Sequence, residues 1–230
     1  MLSYEIFGKG SRVVVFLHGY MGDINSLRTL ASGVKGENRV ILVDFGFKNE
    51  PPRPLCLYDY VLEVRDILNK ERVEEAYFVC HSFGGRVGVR LARKYPHLVK
   101  GLVLIDSAGL KPRRGIRYHF RVILHKILIK LGKDGLKGSL DYRSLSPNQK
   151  ATFVRVVNDF TDNDLGYITP KVLLIWGAKD RATPLYMARR YRRKLPNARL
   201  IIFKKVGHFS YLERRSETLS LIRAYISQDE

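Results

Sequence analysis

The sequence predicts an α/β fold with a mostly parallel central sheet and helices on both faces. Six short apolar runs, rich in β-branched and aromatic residues, indicate buried strands. Most of these runs are followed by segments with helical periodicity, and this alternation is typical of a parallel sheet covered by helices. The runs are residues 13–17, 40–43, 77–79, 102–105, 172–175 and 200–203.

A further apolar stretch, residues 4–7, precedes the first of these runs and ends at Gly8-Lys9-Gly10. Glycines at this spacing favour a tight hairpin, so we expect residues 4–7 to form an antiparallel edge strand that turns back along residues 13–17. The strand at 13–17 then leads directly into the loop His18-Gly19-Tyr20-Met21-Gly22.

A serine lies on a glycine-flanked turn before the middle of the chain. The apolar run 76–80 leads through His81 into Ser82-Phe83-Gly84-Gly85, and helix-forming residues follow over 86–95. A serine at a strand–turn–helix corner has its side chain pushed clear of the sheet, and the helix N-terminus faces any negative charge that develops there. Ser82 is therefore the candidate nucleophile.

Residues 110–170 interrupt the alternation and contain no strand-like run. Over 116–131 apolar residues recur at the helical period with Arg and Lys between them, which predicts an amphipathic helix. The run Ser146-Pro147-Asn148-Gln149 supplies an N-cap, a first-turn proline and a capping-box glutamine. It predicts a second helix that continues to Phe160.

The last two predicted strands carry an acid and a histidine at their exits. Residues 172–175 lead into a loop with one acid, Asp180, and residues 200–203 lead through Val206-Gly207 into His208. Because the carboxyl ends of parallel strands meet at one edge of a sheet, Ser82 can meet both of these side chains there. A hydroxyl, an imidazole and a carboxylate in that proximity are suited to nucleophilic catalysis.

Together these motifs resemble the α/β-hydrolase superfamily. Cys80-His81-Ser82-Phe83-Gly84 is similar to its nucleophile elbow, G-x-S-x-G, and the chain order Ser82, Asp180, His208 is that of the superfamily. The resemblance covers about residues 3–110 and 170–228. It implies the α/β-hydrolase fold, with Ser82 as nucleophile, His208 as base and Asp180 as the acid that orients the base.

The resemblance also implies a role for the loop that begins at His18, since His18-Gly19-Tyr20 is similar to the superfamily's oxyanion loop. The N–H groups of Tyr20 and Phe83 would then hold the oxygen of a tetrahedral intermediate. Cys80 departs from the elbow pattern, because a glycine is usual there. We expect small neighbours such as Gly84 or Gly85 to accommodate its sulfur.

Several residues compete with these assignments. Asp106, at the exit of the strand at 102–105, is a rival acid because some relatives place the acid one strand earlier; we favour Asp180. His18 is structural by analogy with the superfamily. His81 precedes the nucleophile, so we expect the turn to direct it away from the reacting side of Ser82.

In the superfamily an insertion after the strand at 102–105 forms a cap over the active site. The resemblance therefore implies a core domain of residues 1–110 and 170–230 with a helical cap insertion at residues 111–169. An apolar helical face over Ser82 would form an acyl-binding pocket and restrict the access of water. The same face could instead pack on the core, and both can hold at once.

Length and composition suit one α/β domain of 230 residues. No secretory signal is visible at the N-terminus and no apolar run approaches the length of about 18 residues that a membrane helix needs, so we expect a cytoplasmic protein. The two cysteines, Cys56 and Cys80, make no disulfide framework, and no Cys/His spacing indicates zinc. We expect neither a cofactor nor a metal.

The formal charge of +19 is concentrated in two stretches. Residues 111–150 hold eleven Lys and Arg against two Asp, and residues 179–205 hold ten against one. Clustered cations raise the encounter rate of an anionic partner and hold it in a salt-dependent way. A basic cap therefore predicts an acidic client, and a solvated basic face without a partner is the alternative.

Three clients fit this charge: a carboxylate-bearing ester, a coenzyme A thioester, and an acyl chain on an acidic carrier protein. In size and layout the chain resembles the pimeloyl-carrier-protein methyl ester esterases of biotin biosynthesis, whose basic caps engage the carrier. This resemblance implies a carrier surface made of Arg113, Arg114, Arg117, Arg121 and Arg155. Nucleic acid is disfavoured because no binding motif is present. Contact of the 116–131 helix with an anionic membrane stays open.

We therefore predict a serine esterase that cleaves a carboxylic ester or thioester through an acyl-enzyme. Its acyl group is expected to be anionic or carrier-bound, as in a pimeloyl-carrier-protein methyl ester. Two alternatives stay open: a lyase that uses the same triad, like the menaquinone-pathway synthase, and a non-catalytic ligand-binding protein that keeps the fold. A serine nucleophile argues against the dehalogenase and epoxide-hydrolase branches, which use a carboxylate there.

Overall fold

The computed structural model describes residues 2–113 and 144–227. Within these ranges seven strands form one sheet in the order β1-β3-β2-β4-β5-β6-β7. Only β1 runs antiparallel to its neighbour, so the predicted class, a mostly parallel α/β sheet, is confirmed. The strands are β1 (Ser3–Phe7), β2 (Arg12–Leu17), β3 (Asn38–Asp44), β4 (Ala76–His81), β5 (Val99–Ile105), β6 (Lys171–Gly177) and β7 (Ala198–Phe203).

Helices connect the strands and cover both faces of the sheet. They are α1 (Arg28–Val34), α2 (Leu57–Lys70), α3 (Phe83–Lys94), α4 (Pro147–Asn158), α5 (Leu185–Lys194), α6 (Ser210–Glu213) and α7 (Arg215–Ile226), with short 3-10 turns at Ile24–Leu27, Pro96–Leu98 and Leu165–Tyr167. Among the helices of residues 2–113 and 144–227, none combines the length and the hydropathy that a membrane span requires.

The first strand does not form the predicted hairpin. Instead of turning back along β2, β1 pairs with β3, with Ser3 opposite Asp44 and Phe7 opposite Val40. The hairpin is excluded because β2 lies between β3 and β4, and both of its edges are occupied by parallel ladders. Gly8 adopts φ +80°, and a Cβ there would lie 2.1 Å from the main-chain oxygen of Asn38. Glycine lets the connection pass close to the start of β3.

Two hydrophobic cores lie on opposite faces of the sheet. In β2, Val15 and Leu17 join the core covered by α2, α3 and α5, whereas Val14 and Phe16 join the core covered by α1 and α7. Successive side chains of a strand point to opposite faces, so a strand buried on both faces needs a continuous apolar run. This requirement explains why the central strands could be recognised in the sequence.

The carboxyl ends of the central strands meet at one edge of the sheet. His81 at the end of β4 lies opposite Ile105 of β5, and Ile105 lies opposite Ile175 of β6. The loops after β6 and β7 are joined by hydrogen bonds from Ala178 N to Phe203 O (3.0 Å) and from Lys179 N to Val206 O (2.8 Å). The loops that follow β4, β6 and β7 are thereby brought together.

The second helix predicted between residues 110 and 170 is α4. Its capping box is present: Ser146 Oγ accepts from Gln149 N at 3.2 Å, and Gln149 Oε1 accepts from Ser146 N at 2.9 Å. The helix ends at Asn158 rather than at Phe160, because Asp159 has an extended backbone. The predicted helix at 116–131 lies outside the described residues, and the division into core and cap stays a prediction.

Candidate active site

Ser82 sits at the junction of β4 and α3 with φ +47° and ψ −108°. This conformation is unfavourable for a residue with a side chain and persists only where the surroundings enforce it. Here Ser82 N donates to Ile105 O at 3.1 Å, and Ser82 O accepts from Gly85 N at 3.1 Å and from Ala108 N at 2.9 Å. These three bonds hold the corner that the sequence predicted.

Glycines on α3 let the helix approach the sheet closely. A Cβ at Gly84 would lie 2.1 Å from Leu17 O, and a Cβ at Gly85 would lie 1.8 Å from Ser107 Oγ. The glycine that faces Cys80 is Gly88, where a Cβ would lie 2.7 Å from the sulfur. The prediction that Gly84 or Gly85 accommodates Cys80 is wrong, because Cys80 points at the second turn of the helix and not at the first.

The side chains of Ser82, His208 and Asp180 form one hydrogen-bonded series. His208 Nε2 lies 3.0 Å from Ser82 Oγ, and His208 Nδ1 lies 2.8 Å from Asp180 Oδ2. The His208 side chain is 20% exposed, whereas the Asp180 side chain is fully buried. The series therefore runs from a reachable hydroxyl to a carboxylate shielded from water, and the structure brings the three predicted residues together.

The loop after β6 fixes the Asp180 carboxylate. Oδ1 accepts from the N–H groups of Ala182 (2.8 Å) and Thr183 (2.9 Å), and Oδ2 accepts from the Thr183 hydroxyl at 2.6 Å. Burial works to raise the pKa of Asp180, but the hydrogen bonds from His208 and Thr183 prevail and hold this pKa below its usual value. An ionised Asp180 keeps a proton on Nδ1 of His208, so Nε2 is free to accept one.

Sequence reasoning missed Thr183. The sequence does place a threonine three residues after the acid. Short polar side chains at such positions commonly form hydrogen bonds within a turn, so Thr183 could have been predicted to contact Asp180.

Asp106, the rival acid, serves another purpose. Its Oδ1 accepts from Gly177 N at 2.8 Å and its Oδ2 accepts from Ser210 N at 3.0 Å. Burial raises the pKa of Asp106 to about 6. Because both oxygens accept from main-chain donors, Asp106 joins β5 to β6 and to the start of α6. The carboxylate at hydrogen-bond distance from His208 Nδ1 is that of Asp180.

His81, which precedes the nucleophile, contacts the residue that carries the base. Its Nε2 lies 3.0 Å from the carbonyl oxygen of His208, and the two rings have centroids 5.0 Å apart. Burial lowers the pKa of His81 to about 3, so the ring is neutral and its Nε2–H donates to the carbonyl. No local sequence pattern indicates this contact, because the partners are 127 residues apart.

His18 fixes the predicted oxyanion loop. Phe45 N donates to His18 Nε2 at 3.0 Å, so Nδ1 carries the hydrogen and donates to Gly19 O at 2.8 Å. Gly84 N donates to His18 O at 3.0 Å, which places the loop against the first turn of α3. Burial lowers the pKa of His18, and the ring remains neutral.

The two residues predicted to supply the oxyanion donors have side chains close to each other. The rings of Tyr20 and Phe83 have centroids 6.3 Å apart. Phe83 is the first residue of α3, where a backbone N–H has no acceptor within the helix. The role of the two N–H groups as oxyanion donors stays a prediction.

The predicted carrier-binding arginines are only partly described. The Arg113 guanidinium lies 5.1 Å from the centre of the Tyr186 ring on α5, and Arg155 Nη1 donates to Pro54 O at 2.7 Å before α2. These two arginines therefore contact different elements. The other three, Arg114, Arg117 and Arg121, lie outside the described residues.

Two cavities lie beside loops of the site, and Ser82, Asp180 and His208 are not among the described residues that line them. One of about 550 Å³ is bounded by Tyr20 of the predicted oxyanion loop and by Thr152 of α4. The other, of about 280 Å³, is bounded by Ala182 and Thr183 of the acid loop. Within residues 2–113 and 144–227 no group of three or more His, Cys, Asp and Glu side chains could hold a metal ion.

Comparison with known proteins agrees with the fold. The chain matches the sequence model of the Alpha/beta hydrolase family over residues 14–220. A 2-hydroxy-6-oxononadienedioate/2-hydroxy-6-oxononatrienedioate hydrolase from a Pseudomonas species is 25% identical over 254 residues, which cover 96% of this chain and 90% of that protein.

Two solved structures are similar over almost the whole chain. A meta-cleavage product hydrolase from Pseudomonas fluorescens has a TM-score of 0.78 at 19% identity, covering 100% of this chain and 95% of its own. An alpha/beta hydrolase enzyme from a Medee basin deep-sea metagenome library has a TM-score of 0.80 at 18% identity, covering 99% of this chain and 94% of its own. At these identities the likeness shows the fold alone.

Proposed function

The chain is a hydrolase that belongs to the alpha/beta hydrolase family, and from this premise we propose that it cleaves a carboxylic ester or thioester through an acyl-enzyme on Ser82. One observation carries the proposal. The Ser82 hydroxyl, the His208 imidazole and the Asp180 carboxylate are joined in series at 3.0 and 2.8 Å. A serine hydroxyl is a weak nucleophile unless an adjacent base takes its proton, and this series supplies the base and its orienting acid.

Acylation begins when Ser82 Oγ attacks the carbonyl carbon of the substrate. The hydroxyl proton passes to His208 Nε2, and Asp180 stabilises the imidazolium that forms. The carbonyl oxygen becomes an oxyanion, which the N–H groups of Tyr20 and Phe83 bind. Loss of one such donor usually lowers the rate by about 10²–10³.

Breakdown of this intermediate completes the turnover. His208 gives its proton to the leaving alcohol or thiol, and the carbonyl re-forms as an ester on Ser82. Water then attacks the acyl-enzyme with His208 again acting as base, and the acid is released.

Replacement of Ser82 by alanine tests the proposal. We expect Ser82→Ala to abolish turnover of a p-nitrophenyl ester and labelling by a fluorophosphonate probe, because both need the activated hydroxyl. Ser220→Ala, at an exposed serine on α7, is the matched control and should retain both. A Ser82→Ala protein that turns over the ester at the original rate would contradict the proposal. A wild-type protein that is not labelled would favour the non-catalytic ligand-binding alternative.

The finer proposal is that the acyl group is anionic or bound to an acidic carrier protein, as in a pimeloyl-carrier-protein methyl ester. The basic residues of the segment 111–169 support it. Charge reversal at Arg113 and Arg155 should slow turnover of a carrier-bound ester and spare a small soluble ester. Equal effects on both esters would exclude carrier docking at these residues.

A second candidate reaction is suggested by the relatives. The Pseudomonas relative is named for hydrolysis of 2-hydroxy-6-oxo dicarboxylates, and hydrolysis at a ketone must break a carbon–carbon bond. The same serine, imidazole and oxyanion donors would serve such a reaction. Turnover of a 2-hydroxy-6-oxo-dienoate can be measured as the loss of its absorption. If such a compound is turned over and esters are poor substrates, this candidate is favoured.

A further inference from the structure

Arg86 is a buried cation one turn after the nucleophile. Its side chain is on α3 and the residue is only 8% exposed. Nη1 donates to Asp159 O at 2.7 Å and Nη2 donates to Val157 O at 3.3 Å. These partners are carbonyl dipoles at the end of α4, and within the described ranges no carboxylate forms an ion pair with Arg86. Arg90, one turn further on, differs because it pairs with Asp159 and Asp164.

Arg86 lines the cavity of about 280 Å³ beside the acid loop. The other lining residues described by the structure are apolar, small or neutral, among them Leu110, Val157, Phe160 and Met187, and none is an aspartate or glutamate. Burial lowers the pKa of Arg86 from its usual value, although Tyr191, Asp159 and Asp162 act in the opposite direction. A guanidinium has five N–H groups, and carbonyls of the described residues accept from two of the Arg86 nitrogens. A buried charge gains most from an opposite charge beside it.

Two residues that line the cavity are hydrogen-bonded to residues of the serine–histidine–aspartate series. Ala108, which lines it, donates its N–H to Ser82 O at 2.9 Å, and Thr183, on another wall, donates its hydroxyl to Asp180. Ser82 and Arg86 are four residues apart, which is an axial rise of about 6 Å on a helix. This rise separates the two main-chain positions by the length of a few carbon–carbon bonds, and the side chain of Arg86 reaches from there to the wall of the cavity.

We propose that Arg86 and this cavity form a carboxylate subsite, and that the substrate is an ester whose acyl part ends in a second carboxylate a few carbons from the scissile carbonyl. The planar guanidinium fork matches a carboxylate, while the apolar walls match the carbons between the two groups. The assignment rests on the proposed serine hydrolase function and adds the class of substrate to it.

Two substrates of equal shape test the subsite: the monophenyl ester of adipate and the same ester with its free carboxylate replaced by an amide. We expect kcat/KM of the wild type to be at least about tenfold higher for the anionic ester, the effect of one charged hydrogen-bonded contact. Arg86→Gln should bring the ratio of the two kcat/KM values close to one, and Arg86→Lys should retain part of the preference.

Arg90→Gln is the matched control, because it also weakens the contact between α3 and the chain after α4 but removes no residue that lines the cavity. If Arg86 only anchored α4, the two Gln variants would leave the ratio equally unchanged. That result, or a wild type with no preference for the anionic ester, would overturn the subsite while ester hydrolysis itself stands.

A binding measurement separates the subsite from the reaction. Adipate should slow fluorophosphonate labelling of Ser82 in the wild type, and Arg86→Gln should need at least about tenfold more adipate for the same protection. If neither ester is turned over, the esterase proposal fails, and calorimetry then measures the binding of adipate directly. Binding that depends on Arg86 would still support the subsite. Equal adipate binding by the wild type and Arg86→Gln would overturn the subsite.

Discussion

At the scale of single residues, two adjacent side chains control two different parts of the site. Ser82 presents the hydroxyl, while His81 donates to the carbonyl of His208 and packs against the His208 ring. The end of β4 therefore positions both the nucleophile and the loop that carries its base. His81 is a positioning residue, since it acts on the reaction through His208.

The hydrogen bond from His81 can be separated from its packing by two substitutions. His81→Phe keeps a ring but loses the donor, and we expect kcat to fall by about 10²-fold with little change in KM, because a displacement of the base by about 1 Å costs that much. His81→Gln keeps an N–H donor and should recover part of kcat. Ester kinetics on both variants measure the difference. An equal fall in kcat in both variants, or a change in KM alone, would show that the hydrogen bond has no positioning role.

His81 should also make the stability of the protein depend on pH. Its pKa is lowered to about 3 in the fold by burial, while an unfolded histidine titrates near pH 6.5. Between these values the unfolded chain binds a proton that the folded chain does not. The stability that neutral His81 provides is therefore complete above about pH 6.5 and is lost as the pH falls toward 3.

Urea unfolding at pH 7 and pH 5 tests this dependence. From pH 7 to pH 5 the free energy of unfolding of the wild type should fall by about 2 kcal/mol more than that of His81→Gln, because the variant lacks the titrating group. An identical loss in both proteins would mean that folding does not lower the pKa of His81. Comparing the two proteins cancels the contributions of His18 and Asp106, which both retain.

At the scale of secondary-structure elements, the contact between β4 and α3 depends on one glycine. Cys80 replaces the small residue usual in the elbow, and Gly88 leaves room for its sulfur. Both residues lie in the packed centre of the molecule, where an added methyl group has no free space.

Gly88→Ala should destabilise the protein by about 1–3 kcal/mol, the usual cost of overpacking a core. The double variant Cys80→Ala/Gly88→Ala removes the sulfur that the new methyl group meets and should recover most of the loss. Thermal or urea unfolding gives both values. Gly166→Ala, whose Cβ would meet no atom within 4 Å, is the control. A double variant no more stable than Gly88→Ala would show that Cys80 is not the obstacle.

At the scale of the whole molecule, several exposed cations have no ion pair with the residues that the structure describes. In the basic stretch 179–205, Arg190 and Lys194 pair with Asp162, whereas Lys179, Arg181 and Lys204 are exposed on the loops beside Asp180 and His208. A positive surface around a site attracts anions over distances of about 10 Å at moderate salt.

This surface predicts a dependence on salt that differs between substrates. Raising the ionic strength from about 0.02 to 0.5 M should lower kcat/KM for the anionic adipate ester severalfold and leave that of its amide analogue nearly constant. Initial rates at low substrate concentration measure both. Parallel salt effects on the two esters would mean that the surface charge has no part in substrate capture.

The sequence by itself determined the strands of the sheet and the serine corner. Both depend on local patterns: strands buried on two faces must be continuously apolar, and the turn at Ser82 needs glycines where α3 approaches Leu17 and Ser107. The order of serine, acid and histidine along the chain could likewise be read directly, because each follows a recognisable strand.

Only the tertiary structure decided which neighbours these elements have. It placed β1 on β3 because β2 has no free edge, and it put Asp180 against His208 while the N–H groups of Gly177 and Ser210 occupy Asp106. It also joined His81 to His208 and Arg86 to the end of α4. These contacts link residues far apart in the chain, and no local pattern encodes them, since they depend on which surfaces remain exposed once the sheet has formed.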